Sequence, residues 1–263
     1  MSNRIETVGF VGFGAMGQFM ADKMFEGCEV VAHDPSISEK RVGQVALVDF
    51  DTALANDAVV LAVPAAVLHE VADGILRSPQ SGVDEALLVD ICSVKKYPTQ
   101  VFGRFLPSHD DLLLCHPLFG PESAKETLEG HKVIVTGSAG ERATELVEGF
   151  RDRGLTIVEM TADEHDRHMA ATLAMPFILG RLANQLGLDS SADLQTPSSQ
   201  AVGHLRKLDD VQSEELFRTA TEFNPYASEI LERLEEGVAA LRQGQASGMA
   251  AQLIAETERI LAL

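Results

Sequence analysis

Tryptophan is absent from the 263 residues, tyrosine occurs twice and cysteine three times. The three cysteines, Cys28, Cys92 and Cys115, lie inside or beside apolar runs, and their odd number and spacing fit neither a disulfide framework nor a Cys-based zinc site. They read as small buried hydrophobes. No apolar run approaches the roughly 20 residues that a membrane helix requires. Basic residues are also few, 21 Lys and Arg against 40 Asp and Glu. The resulting net charge of −19 disfavours nucleic acid or an anionic membrane surface as partner. The first residues lack the basic start, apolar middle and cleavage site of a signal peptide, so a cytoplasmic protein is expected. There is no Pro- or Gly-rich linker and no internal repeat.

What is present is 45% hydrophobic and 23% charged sequence, a globular composition with enough length for one large domain or two modest ones. From residue 5 to about 160, short apolar β-rich runs alternate with helical segments. The strand candidates are 7–11, 29–33, 58–63, 86–91, 112–115, 132–136 and 156–159. Several, such as Val59-Val-Leu-Ala-Val63, are continuously apolar, as strands covered on both faces are. This pattern predicts βαβ units and a largely parallel sheet. After Glu159 only helical segments follow. Thr161-Ala-Asp-Glu164 has capping-box spacing, and Thr196-Pro197 and Asn224-Pro225 each set a capping residue before a proline. The helix opening at Thr161 is expected to reach about Leu186, kinked by Pro176. The predicted organisation is therefore α/β, with a dinucleotide-binding domain at 1–160 and an all-helical domain at 161–263 serving substrate binding and dimerisation.

Val8-Gly-Phe-Val-Gly12-Phe13-Gly14-Ala15-Met16-Gly17 places Gly-x-Gly-x-x-Gly directly after the first strand and before a helix. In a Rossmann-type site Gly12 makes the tight turn, Gly14 admits the backbone to a pyrophosphate, and Gly17 lets helix and strand pack closely. The second strand ends at Asp34, at the expected distance for the acid that binds the adenosine ribose. A carboxylate there favours NAD and repels the 2′-phosphate of NADP. Two readings of detail stay open: Asp34 as a turn residue before Pro35, and Arg41, expected on the following helix, as a phosphate contact admitting NADP. Val63 and Pro64 fall where the chain passes a cofactor at the sheet's carboxyl edge, although Pro64 could equally end the strand.

The fourth and fifth strand ends carry Asp90-Ile-Cys-Ser93-Val-Lys95 and His116-Pro-Leu-Phe-Gly-Pro121. Hydride loss from a carbon bearing a hydroxyl needs a base for that hydroxyl's proton, and neutral histidine is the usual one near pH 7. His116 is the candidate by position. Ser93 is either its hydrogen-bonding partner or a helix cap. Lys95 is equally a surface residue or an anion contact.

On the glycine motif, these two segments and, more loosely, Glu164-His-Asp166, the chain resembles the prephenate and arogenate dehydrogenases of tyrosine synthesis. The similarity is clear over residues 8 to 170 and architectural beyond. It implies a homodimer that performs oxidative decarboxylation of prephenate or arogenate with NAD, or NADP, with His116 as base and Ser93 as its partner. It also implies an arginine in the helical half gripping a substrate carboxylate. Of Arg181, Arg206 and Arg218, Arg206 is favoured. Where many relatives carry a histidine after a proline in the first long helix, this chain has Pro176-Phe177. His165 reads as a cap or interface residue. With its end at Leu263, the chain is expected to carry no added regulatory domain. Two alternatives are weaker. β-Hydroxyacid dehydrogenases and imine-reducing enzymes share the glycine motif but use a helical-domain lysine, and Lys207 is the only lysine here after residue 132. A nucleotide-sensing protein without turnover would have no reason to keep His116 and Ser93.

Overall fold

A computed structural model describes residues 5–78, 82–187 and 196–246. Residues 1–4, read above for a leader, and residues 188–195 and 247–263 of the helical half lie outside the described residues.

The described residues form a nine-stranded sheet. In chain order the strands are β1 (Thr7–Val11), β2 (Glu29–His33), β3 (Arg41–Val42), β4 (Val45–Leu47), β5 (Ala58–Leu61), β6 (Leu87–Asp90), β7 (Leu112–Pro117), β8 (Lys132–Ala139) and β9 (Thr156–Glu159). Across the sheet they run β3-β4-β2-β1-β5-β6-β7-β8-β9. Strand order reverses between β1 and β5, and the crevice at their carboxyl ends is where open α/β sheets bind ligands.

All seven expected strands form, with ends shifted by a few residues. The hairpin β3–β4 is additional: strands of two and three residues are too short to show a period, and its turn holds Gly43 at φ +58°. The expectation of a largely parallel sheet holds except at β3–β4 and β7–β8, which are antiparallel. Between β7 and β8 the chain crosses residues 118–131 with no helix, so it returns beside the strand it left.

The continuous apolar runs are explained by burial on both faces. Val60 and Val89 join Phe10, Met20, Phe25 and Phe150 in one cluster. That side carries α1 (Ala15–Lys23) and α5 (Glu141–Asp152). Val59, Leu61 and Leu88 join Leu68, Ile75 and Phe102 in the other. It is covered by α2 (Phe50–Leu54), α3 (Ala65–Leu76) and α4 (Lys96–Phe105).

Among the described residues helices alone follow β9: α6 (Ala162–Met169), α7 (Met175–Gln185), α8 (Pro197–Val211), α9 (Glu214–Glu222) and α10 (Ala227–Ala246). Thr161 and Glu164 close the expected capping box, and Thr196 caps α8. The predicted kink at Pro176 takes the form of a π-helical segment, Ala170–Ala174, between α6 and α7. Its shifted hydrogen-bond ladder lies directly before the residue that has no N–H to give. Asn224 starts no helix itself. Its Oδ1 accepts from the Tyr226 N–H, one turn ahead of α10, while its Nδ2 donates to the Asp166 carbonyl at 2.8 Å.

The helical half meets the sheet at its carboxyl edge. Asp166 accepts hydrogen bonds from the Lys95 and Lys96 N–H groups where α4 begins. The Ala65 N–H, at the start of α3, donates to Thr219 Oγ1 on α9, and Tyr97 packs on Phe223 with ring centroids 5.0 Å apart.

Candidate active site

The glycine turn leaves β1 at the switch point. Gly12 has φ +86°, and a Cβ there would stand 2.5 Å from the Ala62 carbonyl oxygen. A Cβ on Gly17 would meet the Gly12 carbonyl at 2.8 Å, so helix and turn approach more closely than any side chain permits. Gly14 differs: nothing lies within 4 Å of its Cβ position. It opens α1 with neither a side-chain cap nor an acidic residue in the first turn. The first N–H groups of α1 therefore have no side chain to satisfy them, and the helix dipole adds a positive end. Gly14 and Ala15 are exposed, Met16 half-buried and Phe13 buried. A turn with backbone donors, open space at its middle glycine and no acidic residue in the first turn of its helix fits a pyrophosphate.

Asp34, just past β2, holds this turn. Its Oδ2 accepts from the Phe13 N–H at 2.7 Å, and its Oδ1 from the Ser36 N–H at 2.9 Å and the Ser36 hydroxyl at 2.6 Å. Partial burial opposes the charged form, yet the hydrogen bonds from Ser36 and Phe13 outweigh it and hold the carboxyl below its ordinary range. Both readings of Asp34 thus have a basis, since it makes the turn after Pro35 and also faces the glycine loop. Arg41 departs from expectation. It belongs to β3, and its guanidinium donates to the Gln44 carbonyl across the hairpin. Val63 is half-buried and Pro64 exposed. β5 ends at Leu61, before both, and Pro64 occupies the N-cap of α3.

Two strands away, the sheet brings together the second group. β6 pairs with β7, Asp90 opposite Leu114, so the segments bearing Ser93 and His116 leave neighbouring strands on one edge. His116 is 7% exposed. Its Nδ1 lies 2.9 Å from His165 Nε2, and His165 Nδ1 lies 2.7 Å from Asp166 Oδ1. His165 and Asp166 are fully buried. The Lys95 N–H reaches Asp166 Oδ1 at 2.7 Å and the Lys96 N–H reaches Oδ2 at 2.9 Å. Ser93 Oγ is buried and has no hydrogen-bond partner among the described residues, which leaves a hydroxyl available to whatever enters.

Burial, together with the charges of His165 and Lys95, pushes His116 well below the usual histidine range. The ring is therefore neutral near pH 7 and able to accept a proton. Burial also lowers His165, against the pull of Asp166. Burial pushes the Cys92 and Cys115 thiols up to about 12, so neither is a nucleophile.

Two further residues take positions that the sequence left open. Lys95 is not at the surface: it is wholly buried, and the carboxylate it contacts is the protein's own Asp90, with Nζ also against the Cys115 carbonyl. His165 is not a cap; it lies where the helical half meets the sheet, between His116 and Asp166. The signal was present in the capping box, which fixes the helical phase and sets His165, Asp166 and Met169 on the inward face.

The arginines lie on the helical half. Arg181 pairs with Asp209 and Glu214 and covers the Phe217 ring. Arg218 pairs with Glu222. Arg206 Nε donates to Asn184 Oδ1 at 2.8 Å, in keeping with the packing of α8 on α7. Among the described residues no His, Cys, Asp and Glu group is arranged to hold a metal ion, and no helix is long and apolar enough to cross a membrane.

A sheet with a glycine turn at its switch point and a buried histidine at its carboxyl edge, roofed by helices, is a Rossmann-type dinucleotide-binding scaffold. A family profile described as "Prephenate dehydrogenase, nucleotide-binding domain" matches residues 33–153. This profile, the curated relatives and the solved structures below all point to the prephenate/arogenate dehydrogenase family. It is 30% identical over 242 residues to "Arogenate dehydrogenase 2, chloroplastic" of Arabidopsis thaliana, covering 87% of this chain and 66% of that protein. With "Arogenate dehydrogenase 1, chloroplastic" of the same plant it shares 28% identity over 248 residues, covering 89% of this chain and 38% of that one. The chain thus spans under two thirds of the length of these relatives. In fold it is similar to prephenate dehydrogenase of Aquifex aeolicus, crystallised with hydroxyphenyl propionate and NAD+, with TM-score 0.72, 19% identity and coverage of 100% and 98% of the two chains. Synechocystis arogenate dehydrogenase gives TM-score 0.60 at 17% identity, covering 97% and 96%.

Proposed function

We propose that this protein catalyses the oxidative decarboxylation of prephenate or arogenate in tyrosine synthesis. NAD is its cofactor and NADP the alternative. The observation that carries this reading is the buried, neutral His116 on one strand end beside the strand end that bears the unpartnered Ser93 hydroxyl. The relatives' names and the nicotinamide complex of the Aquifex structure support the substrate class and the cofactor.

Gly12, Phe13, Gly14, Ala15, Met16 and Gly17 would form the pyrophosphate turn, with the backbone N–H groups at the start of α1 meeting the phosphates while those of Gly12 and Phe13 stay on His33 and Asp34. Asp34 would take the ribose hydroxyls, and Val63 and Pro64 would pass alongside. The cofactor, when bound, accepts the hydride from the ring carbon that bears the 4-hydroxyl. His116 Nε2 takes that hydroxyl's proton, its other nitrogen being occupied by His165. Ser93 Oγ hydrogen-bonds the same hydroxyl and fixes its distance from the base. The ring carboxylate leaves as carbon dioxide and its bonding electrons enter the ring. The proton held on His116 returns to the oxygen, giving a phenol with no net proton gained or lost. Arg206 is assigned to a substrate carboxylate, a task for a planar and permanently charged fork.

We divide the chain at residue 160, with the helical part 161–263 building a homodimer. Leu231, Val238 and Leu241 on α10 and Val211 on α8 are exposed apolar side chains in keeping with that role. Incubating the purified protein with each substrate and with NAD or NADP, while following reduced nicotinamide, tests the reading. Turnover with one substrate is expected, and none with either would refute it.

A further inference from the structure

The helical half contributes two buried groups that the chemistry above does not use. His165 lies between His116 and Asp166 at 2.9 and 2.7 Å. Both Asp166 oxygens already accept backbone N–H groups, Oδ1 from Lys95 and Oδ2 from Lys96. A carboxylate so engaged can only accept from His165, so the hydrogen on His165 sits at Nδ1. Neutral His165 then presents a lone pair at Nε2, and only a donor can satisfy it. The neighbouring atom is His116 Nδ1, which must therefore carry His116's hydrogen, and the lone pair of that ring is left at Nε2.

We infer that His165 and Asp166 are positioning residues for His116, fixing it as the Nδ1–H tautomer whose Nε2 is the basic atom. This rests on the reading of His116 as the base. In the proton step the substrate O–H bond breaks and an N–H bond forms at Nε2, with no other bond changed. The resulting imidazolium is buried and faces Lys95 from the start of α4. The negative charge that offsets this comes through His165 from Asp166, with Asp90 paired to Lys95 behind. Cys92 and Cys115, the remaining titratable neighbours, stay protonated. Because Asp166 also caps the start of α4 and receives Asn224 at its carbonyl, the base is complete only when the helical half is docked on the sheet.

The test is the tautomer itself, read by nitrogen NMR of the ligand-free protein with labelled histidine, the His116 signals being assigned by their loss in His116→Asn. In the wild type His116 is expected to carry hydrogen at Nδ1 and a free lone pair at Nε2. His165→Gln, whose side-chain carbonyl can accept from Nδ1, should keep this pattern, and His165→Leu should abolish it. In parallel, kcat should fall by about 100-fold in His165→Leu with KM changed less than about 3-fold, and His165→Gln should recover most of the loss. Hydrogen at Nε2 of wild-type His116, or an unchanged tautomer and kcat in His165→Leu, would overturn the inference. If His165→Leu does not fold, the wild-type spectrum and a loss of the Nδ1–H form in His165→Gln decide in the same way. Absence of turnover with both substrates would strike the proposed reaction alone, since the spectrum still answers for the tautomer.

Discussion

Asp34 Oδ2 lies 2.7 Å from the Phe13 N–H, so the acid at the end of β2 is tied directly to the turn that follows β1. One carboxylate thus shapes the pyrophosphate loop and offers its remaining lone pairs to ribose hydroxyls. Asp34→Ala should weaken NAD binding and shift the NAD to NADP preference toward NADP, because the charge that repels a 2′-phosphate is gone. The ratio of kcat/KM for the two cofactors measures it, and an unchanged ratio rules out the ribose contact.

Two of the motif glycines should fail differently. Gly14 has φ −68° and ψ −167°, which alanine adopts freely, and its Cβ would project into open space. Gly14→Ala should therefore leave the melting temperature within about 2 °C of wild type, as expected of a surface change under about 0.5 kcal/mol. It should lower nucleotide affinity, since the methyl stands where the backbone is to meet a phosphate. Gly12→Ala faces φ +86° and a carbonyl at 2.5 Å, so it should destabilise the fold itself. Thermal melting and nucleotide titration of the two variants separate the roles, and equal melting temperatures would contradict this assignment.

His116→Ala should cut turnover by about 100-fold or more while nucleotide binding persists. In the wild type, burial first and the charges of His165 and Lys95 next depress the His116 pKa, so the base stays unprotonated as pH falls through the ordinary histidine range. The acid limb of kcat/KM should accordingly have its midpoint below 6.5. His165 and Lys95 are the neighbouring groups whose charge adds to burial in setting it. A midpoint at or above that value would mean another group, or a solvated His116, controls the limb.

Much of this was legible in the sequence because local rules acted alone. The glycine motif, the capping box at Thr161 and the doubly apolar runs each name their own geometry, and the sheet obeyed them. What sequence could not show was pairing over distance. Lys95 is hydrophilic and follows a strand, so it reads as exposed until the fold sets Asp90 and Cys115 around its ammonium. His165 is read from its own helix as polar, and only the docking of α6 onto β7 turns it toward His116. The β3–β4 hairpin failed for a different reason, since five strand residues carry no usable period.

The Lys95 and Asp90 pair gives the last prediction. Both side chains are essentially inaccessible, 0% and 1% exposed, so neither charge has water to fall back on. Lys95→Met should leave the Asp90 carboxylate unpaired and destabilise the fold by about 3–5 kcal/mol, seen as a lowered midpoint in urea with unchanged slope. The double change Lys95→Met with Asp90→Leu removes both charges and should regain most of that loss, because a buried ion pair seldom outperforms an apolar one of similar size. Its turnover should stay low nonetheless. Lys95 Nζ also holds the carbonyl of Cys115, the residue directly before His116, and that hold has no substitute in methionine. A double variant restored in both stability and turnover would show that the ammonium serves only its carboxylate and has no part in placing the base.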